Sequence, residues 1–316
     1  MASEYRLVSY RDAAGAARAG VLVDDRVHPA AKLLDGAAGI DGASVLGILQ
    51  SWEAAHPRLA AAAARVKPAD GRPLAETALL APILYPPAMF CAGANYWDHK
   101  KEMAVAQQRA TGKTFAMVKP QEPWFFLKTT AHSVIGPGAP IRLPGISHKV
   151  DWEAELGVVI GRSARDVPVD RALEVVAGYV IVNDLSARDL MRRADPAFEG
   201  SPFVFDWLGQ KCFDGAAPMG PWFTPAAYVP EPTNLAIKLW VSGALKQNSN
   251  TGDMVHSAVE QIAYLSRHVT LRPGDVIATG TPAGVGMPRG EFLKPGDEVR
   301  IEIDRCGTLV NPVVAG

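Results

Sequence analysis

The sequence predicts an α+β, strand-rich fold: a β-sandwich or roll over residues 85–316, preceded by a small α+β domain over residues 1–80. Three observations lead there. After residue 87, short runs of β-branched and apolar residues alternate with Gly/Pro turns such as I-G-P-G-A-P (135–140), R-P-G-D (272–275) and K-P-G-D (294–297). Two helical stretches, about Asn95 to Ala110 and about Val255 to Ser266, interrupt that pattern. Finally, the Pro-rich stretches P-A-D-G-R-P-L (68–74) and P-I-L-Y-P-P (82–87) read as connectors from a first segment of different character.

That first segment opens with R-L-V-S-Y (6–10), G-V-L-V (20–23) and R-V-H-P (26–29), short strands of a hairpin turned at Asp24-Asp25. S-V-L-G-I-L (44–49) follows in an Ala-rich stretch, then a helical run around Pro57 to Val66 that ends before Lys67-Pro68. Beyond the connectors, Gly112 stops the first of the two helices. The 32 basic and 33 acidic side chains leave a formal net charge of -1 with no basic tract, which argues against nucleic acid as a partner. Apolar stretches are short or broken, as at Pro82, Pro86 and Pro87, so no membrane span is expected. Glu4 and Arg6 in a strand-like start argue against a secretory signal, and a soluble cytoplasmic protein is expected. The three cysteines, Cys91, Cys212 and Cys306, are scattered and suggest neither a disulfide framework nor a zinc site.

The strongest chemical signal is a set of carboxylates. Glu153 and Glu155 sit in D-W-E-A-E-L-G-V-V-I-G, a buried-strand pattern in which residues two apart share a face. Asp184 follows a second apolar run, Tyr179 to Val182, whose pairing beside the first strand brings a third oxygen donor to the same place. Three buried carboxylates repel unless a cation compensates them, and all-oxygen ligation favours magnesium, manganese or calcium. An isolated E-x-E would instead read as a solvated strand edge, but here the flanking residues are apolar.

Asn95 is the expected N-cap of a helix that places His99 and Glu102 three residues apart on one face, where the carboxylate orients a basic imidazole. Lys128 and Lys211 lie among aromatic residues, and Arg188 lies four residues after Asp184. Each cation either neutralises a substrate carboxylate or oxyanion, or closes a structural ion pair. T-G-T-P-A-G-V-G (279–286) offers the hydroxyl of Thr281 and free N–H groups, Gly280 among them, in a tight loop. T-G-K-T (111–114) is not a phosphate-binding loop, because Gln107 stands where its first glycine belongs, and neither G-x-S-x-G nor H-E-x-x-H occurs.

Six ordered motifs resemble the fumarylacetoacetate hydrolase family over about Phe90 to Val313: N-Y-x-x-H-x-x-E (95–102), F-L-K (126–128), D-W-E-x-E-L-G-V-V-I-G (151–161), N-D-L-S-A-R-D (183–189), K-C-F-D-x-x-x-P-M-G-P (211–221) and P-G-D-V-I-A-T-G-T-P-A-G-V-G (273–286). The resemblance implies a β-roll catalytic domain, commonly a homodimer, that binds a small 2-oxo acid of the acylpyruvate type through Mg²⁺ or Mn²⁺. It further implies metal ligation by Glu153, Glu155 and Asp184, and water activation by His99 with Glu102. C–C cleavage of a 1,3-dicarbonyl unit would then be assisted by Lys128 and Lys211, with Arg188, Thr281 and Gly280 on the substrate side. Decarboxylation of 2-oxo diacids, isomerisation of unsaturated ones, and a non-catalytic binding role are the competing expectations. Where the family often carries Gln, this chain has Met191, followed by R-R-A-D-P-A-F-E-G-S-P-F-V-F-D-W. That segment is expected either to cover the site as a lid, with Phe198, Phe203, Phe205 and Trp207 on an apolar or aryl acyl group and Arg192 and Arg193 near a second carboxylate, or to form a dimer contact.

Overall fold

Strand alternation sets the architecture. In the computed structural model, which describes residues 4–114 and 116–316, every residue of the strands Ala154–Ile160 and Val176–Asn183 is buried. Both faces of this antiparallel pair are therefore covered, which explains its unbroken apolar sequence. Leu156, Val158, Ile160, Tyr179 and Ile181 face one core, shared with Ile237, Leu239, Ile301 and Leu309. Val159, Val180 and Val182 face the other, shared with Ile48, Leu49, Leu59 and Phe223.

The first core lies against a five-stranded sheet running Ala244–Asn250, Ala236–Val241, Glu298–Ile303, Gly307–Ala315 and Ile141–Leu143 in spatial order. The second core is roofed by the helices Val45–Gln50 and Trp52–Ala63. Between the two cores runs a 12-stranded sheet, giving the mixed, strand-rich sandwich that the sequence predicts.

The N-terminal strands form a three-stranded meander, Arg6–Arg11, Ala17–Val23 and Arg26–Pro29, rather than a single hairpin. Asp24 and Asp25 make its two-residue turn with φ of 43° and 60°, the left-handed pair that such a turn requires and that Asp tolerates. Leu7 pairs with Phe223, so this meander continues the large sheet. The second roof helix starts at Trp52, earlier than Pro57, because Trp52 packs edge-on against Phe223 at 5.2 Å while His56 stacks on Trp52 at 4.9 Å and bonds the Tyr5 hydroxyl at 2.8 Å. These contacts offset the cost of a proline inside the helix. The two longer helices beyond the connectors are Trp97–Thr111, closed by Gly112 at φ 71°, and Ala258–His268, opened by a capping box of Ser257 and Glu260. Among the described residues, no helix is long and apolar enough to cross a membrane.

Strand pairing gathers the chemistry at one end of the sheet. Glu155 pairs with Val182, Gly157 with Ala278, and Ala278 in parallel with Cys91. The start of Ala154–Ile160 thus meets the segments leaving Val176–Asn183, Val276–Ala278 and Met89–Ala92, which carry Asp184, Thr281 and Asn95. Such close pairing leaves no room for side chains at certain positions: a Cβ on Gly178 would sit 2.1 Å from the Thr224 carbonyl oxygen. Gly178→Ala should therefore cost about 1–3 kcal/mol of stability, read from the urea midpoint. An unchanged midpoint would show that the strand yields freely.

Candidate active site

Glu153 and Asp184 meet because the strands carrying them run side by side, and the Asp184 N–H donates to the Glu153 carbonyl at 2.9 Å. One carboxylate oxygen each from Glu153, Glu155 and Asp184 lies within 4.8 Å of the others, and all three residues are buried. They continue, at the strand ends, the face that carries Val159, Val180 and Val182 deeper in the sheet. The expected cluster is therefore brought together by register alone.

The cations close around it. Lys211 Nζ donates to Glu153 Oε2 at 2.7 Å and to Asp184 Oδ2 at 2.6 Å. Arg188 donates from Nη2 to Glu153 Oε1 at 2.5 Å and from Nε to Asp151 Oδ2 at 2.9 Å. Lys128 Nζ stands 2.9 Å from Asp184 Oδ1, yet its donors point at the carbonyls of Leu185, Lys211 and Ala216 at 2.9, 2.6 and 2.8 Å. The Lys128 side chain is fully buried and does not line the cavity, which corrects the expectation that it meets the substrate. Its charge acts from beneath the carboxylates. Arg188 does line the cavity, held there by two ion pairs.

Four carboxylates, Asp151, Glu153, Glu155 and Asp184, thus face three cations, Lys128, Arg188 and Lys211. One negative charge is unmatched. Burial raises the Glu153 carboxyl, but Lys211 and Arg188 outweigh it and hold that group down at about 2. Burial, then Asp184 and Glu153, push Glu155 well above the usual carboxylate range, against a single N–H from Gly280 at 2.8 Å. Asp184 Oδ1 receives no hydrogen bond among the described residues. An all-carboxylate donor set with one carboxyl left without a cation fits a hard divalent cation, as the sequence suggests.

His99 lies buried in the first turn of Trp97–Thr111, with Nδ1 at 3.4 Å from Glu102 Oε2, and lines the cavity. Glu102 also receives the Gly284 N–H at 3.1 Å, so the loop after Val276–Ala278 is tied to this helix. Asp98 strengthens that tie by accepting the Ala283 N–H at 3.0 Å and the Ser249 hydroxyl at 2.7 Å. Asn95 is not the N-cap, a place taken by Tyr96. Instead Asn95 exchanges hydrogen bonds with the His256 backbone at 2.8 and 2.9 Å and donates to Thr279 at 2.8 Å. Gly280 spends its N–H on Glu155 rather than on a ligand. Its φ of +99° demands glycine, and a Cβ at that position would lie 2.6 Å from Asn95 Cβ. Thr281 faces the cavity, its hydroxyl accepting from Gln247 at 2.9 Å.

Above this floor opens a cavity of about 490 Å³. Trp124, Phe126 and Trp207 form an aromatic wall, with Phe126 and Trp207 stacked at 5.9 Å and Lys211 Nζ 4.7 Å from the Phe126 ring. From the segment Met191 to Trp207, Met191 and Trp207 reach the cavity. Phe203 is 69 % exposed, Phe205 stacks on the outside of Trp207, and Arg192 and Arg193 lie over Phe205 and Phe198, so these expected substrate contacts are turned to other uses.

Sequence reasoning does not single out Asp151, whose carboxylate accepts the N–H groups of Gly286 and Met287 at 2.6 and 3.0 Å as well as Arg188. A signal for it exists, since Asp151, Glu153 and Glu155 continue one period-two series. Gln210 and His256, in the cavity wall, are likewise not singled out by the sequence.

Comparison with known proteins gives the family. The family described as "Fumarylacetoacetate (FAA) hydrolase C-terminal" matches residues 88–314. The chain belongs to the fumarylacetoacetate hydrolase family. It is 43 % identical over 238 residues to the mitochondrial oxaloacetate tautomerase fahd2 of Xenopus laevis, covering 75 % of this chain and 68 % of the relative. Among solved structures, maleylpyruvate hydrolase of Sphingobium sp. SYK-6, in complex with manganese (II) and pyruvate, superposes with a TM-score of 0.73 at 30 % identity over 98 % of this chain and 99 % of that one. A 2-hydroxyhepta-2,4-diene-1,7-dioate isomerase from Mycobacterium marinum gives 0.68 at 29 % identity, covering 98 % of each chain. The family therefore contains both hydrolases and isomerases with this fold.

Glu155 yields a pH test. With its pKa raised by folding, it stabilises the metal-free protein fully below about pH 4, the unfolded value, and that stability is lost as pH rises toward the folded value. In EDTA, the Tm difference between wild type and Glu155→Gln should move against the wild type from about pH 5 to 8, and Mg²⁺ or Mn²⁺ should reverse it. A difference independent of both pH and metal would remove Glu155 from the ion site.

Proposed function

We propose that the protein is a divalent-metal-dependent hydrolase that cleaves the C–C bond of a 2,4-dioxo acid carrying a bulky or aryl acyl group. The observation that supports this reading is one cavity with three distinct linings: the carboxylate floor with Lys211 and Arg188, the His99–Glu102 pair, and the aromatic wall of Trp124, Phe126 and Trp207. Glu153, Glu155 and Asp184 would hold Mg²⁺ or Mn²⁺. The ion supplies positive charge for the 2-oxo acid end of the substrate and for negative charge developing there.

The chain's own residues perform the proton and charge work. His99, oriented by Glu102, takes a proton from water, and the water oxygen adds to the carbonyl of the acyl group. The bond between that carbon and the neighbouring methylene carbon then breaks, its electron pair passing to the pyruvate unit, which faces Lys211 and Arg188. His99 returns the proton to that unit, so the products are a carboxylic acid and pyruvate. Lys128 and Asp151 hold Asp184 and Arg188 in place without touching substrate.

Oxaloacetate tautomerisation is the second reading, favoured by relatives such as human mitochondrial oxaloacetate tautomerase FAHD2B, 41 % identical over 77 % of this chain and 71 % of the relative. The same base would move a proton between carbon and oxygen without adding water. A cavity of about 490 Å³ with a three-ring wall exceeds what a four-carbon diacid fills, which favours the hydrolytic reading.

With Mg²⁺ present, a panel of alkyl, carboxylated and aryl acylpyruvates should lose diketone absorbance and release pyruvate stoichiometrically, aryl compounds fastest. EDTA should abolish this. His99→Ala and Glu102→Gln should each lower kcat by about 10²–10⁴-fold, the double variant being little worse than the poorer single one. Interconversion of oxaloacetate tautomers with no pyruvate released from any acylpyruvate would refute the hydrolase and favour the second reading. A homodimer is also proposed, to cover Leu127 and Leu208, which are 59 % and 69 % exposed beside the Cys212 turn. Light scattering that returns the monomer mass at micromolar concentration would exclude it.

A further inference from the structure

Two side chains in the wall of the cavity each carry a buried polar atom with no partner among the described residues. Gln210 is 2 % exposed, and its Oε1 receives no hydrogen bond among the described residues. His256 is 4 % exposed, and its Nε2 is equally unpartnered. Both line the cavity above the carboxylates. Buried amides and imidazoles are almost always satisfied, so two side chains with orphaned atoms in one cavity wall mark a place where a small side-chain turn lets a ligand complete the bonding.

Neither residue is loosely held. The His256 backbone is bound three ways, donating to Asn95 Oδ1 at 2.8 Å and accepting from Asn95 and Gln261, each at 2.9 Å. Gln210 belongs to the short helix Trp207–Lys211, fixed by the Asp206 side chain accepting from Gly209 at 2.9 Å. The same helix carries Trp207, one turn before, and Lys211, the next residue, so Gln210 stands beside both the aromatic wall and the ammonium on the carboxylates. Met191, whose carbonyl accepts the Asp206 N–H at 2.9 Å, lines the cavity nearby with no polar atom in its side chain to compete for a ligand.

We propose that Gln210 and His256 form a polar subsite for a hydroxyl group on the acyl part of the substrate. This rests on reading the cavity as a 2,4-dioxo acid site and names the substituent that the acyl group carries. An amide and a neutral imidazole each offer both a donor and an acceptor. A hydroxyl group satisfies either, whichever way the amide is turned, whereas a carboxylate only accepts and would leave Gln210 Oε1 unpaired. A second carboxylate would also need a free cation, and Lys100, which borders the same cavity, spends its ammonium on the Val118 carbonyl at 2.7 Å. Burial, with Lys119 nearby, lowers the His256 imidazole below its ordinary value and keeps it uncharged near neutrality. With three aromatic rings alongside, a hydroxylated aryl group is the matching ligand.

The test is calorimetric binding of benzoylpyruvate and its ortho-, meta- and para-hydroxylated counterparts to Mg²⁺-loaded His99→Ala protein, in which turnover does not obscure binding. At least one hydroxylated isomer should bind about tenfold tighter than the parent, the worth of one neutral hydrogen bond. Gln210→Met and His256→Phe, each added to that background, should shrink the advantage toward unity. The subsite is overturned if no isomer outbinds benzoylpyruvate, if the advantage survives both substitutions, or if none of the four compounds binds. Should Gln210→Met fail to fold by circular dichroism, the ligand series and His256→Phe still decide. Pyruvate release from wild-type enzyme without any hydroxyl preference would refute the subsite alone. A hydroxyl preference in binding without pyruvate release would refute hydrolysis and leave the subsite standing.

Discussion

An unmatched negative charge, buried at the end of the large sheet, is the constraint on which the rest of the site depends. The strands Ala154–Ile160 and Val176–Asn183 must pair in the observed register, because every residue in them is buried and their apolar side chains divide between two cores. That register forces Glu153, Glu155 and Asp184 together. Lys128, Arg188 and Lys211 answer all but one of the charges, counting Asp151, and Glu155 is left to bear the remainder. A divalent ion held there would displace the Glu155 proton and take the cluster to one positive charge. A single substrate carboxylate then brings it to neutrality, so the site is electrostatically complete with ion and 2-oxo acid together and incomplete with either alone.

The loop after Val276–Ala278 converts this charge arrangement into geometry. Its backbone N–H groups are caught in turn by Glu155 at Gly280, Asp98 at Ala283, Glu102 at Gly284, and Asp151 at Gly286 and Met287. Four acidic side chains from two distant segments thus hold one loop, and two of them also belong to the candidate ion site or the base pair. Thr281 is fixed in the same span through Gln247, which also accepts the Ala154 N–H at 2.9 Å. Displacing the loop would therefore disturb the candidate ion ligands and the His99–Glu102 pair together, and at Gly280, where φ is +99° and Asn95 presses against it, only glycine fits.

How much of this is legible in the sequence depends on whether the signal is periodic or relational. The carboxylates are legible because period two in a buried strand has one geometric meaning. His99 and Glu102 are legible for the same reason at helical spacing. Asn95 reads wrongly as an N-cap because an Asn before a helix gives the same local signal whether its amide bonds the helix or loop backbone far along the chain. Lys128 shows the same limit: sequence reveals a cation among aromatic residues but not that three carbonyls surround its ammonium. The aromatic residues of 198–207 are expected to face the substrate as a group, yet Trp207 alone turns inward, anchored by Phe126. Gln210 and His256 carry no signal, since their significance lies in partners they lack.

The two proposed readings, hydrolysis and tautomerisation, use the same candidate ion site and base, so the difference between them has to arise above the floor. A tautomerase needs only to hold a small oxo acid and move one proton. A hydrolase must also admit water to the acyl carbonyl and keep the acyl group still while a carbon–carbon bond breaks, and positional restraint of that kind contributes more to rate than added binding alone. In this chain the surfaces that would provide such restraint are the stacked rings of Phe126 and Trp207 and the rigidly mounted Gln210 and His256. None of them touches the ion site except through Lys211, whose ammonium lies over the Phe126 ring while bridging Glu153 and Asp184. Lys211 is therefore the physical link between what the acyl pocket holds and how the floor is charged. Under the proposed hydrolysis, an acyl group seated against Phe126 would lie beside an ammonium that is already buried, so its field on the reacting oxygen would be little screened by water.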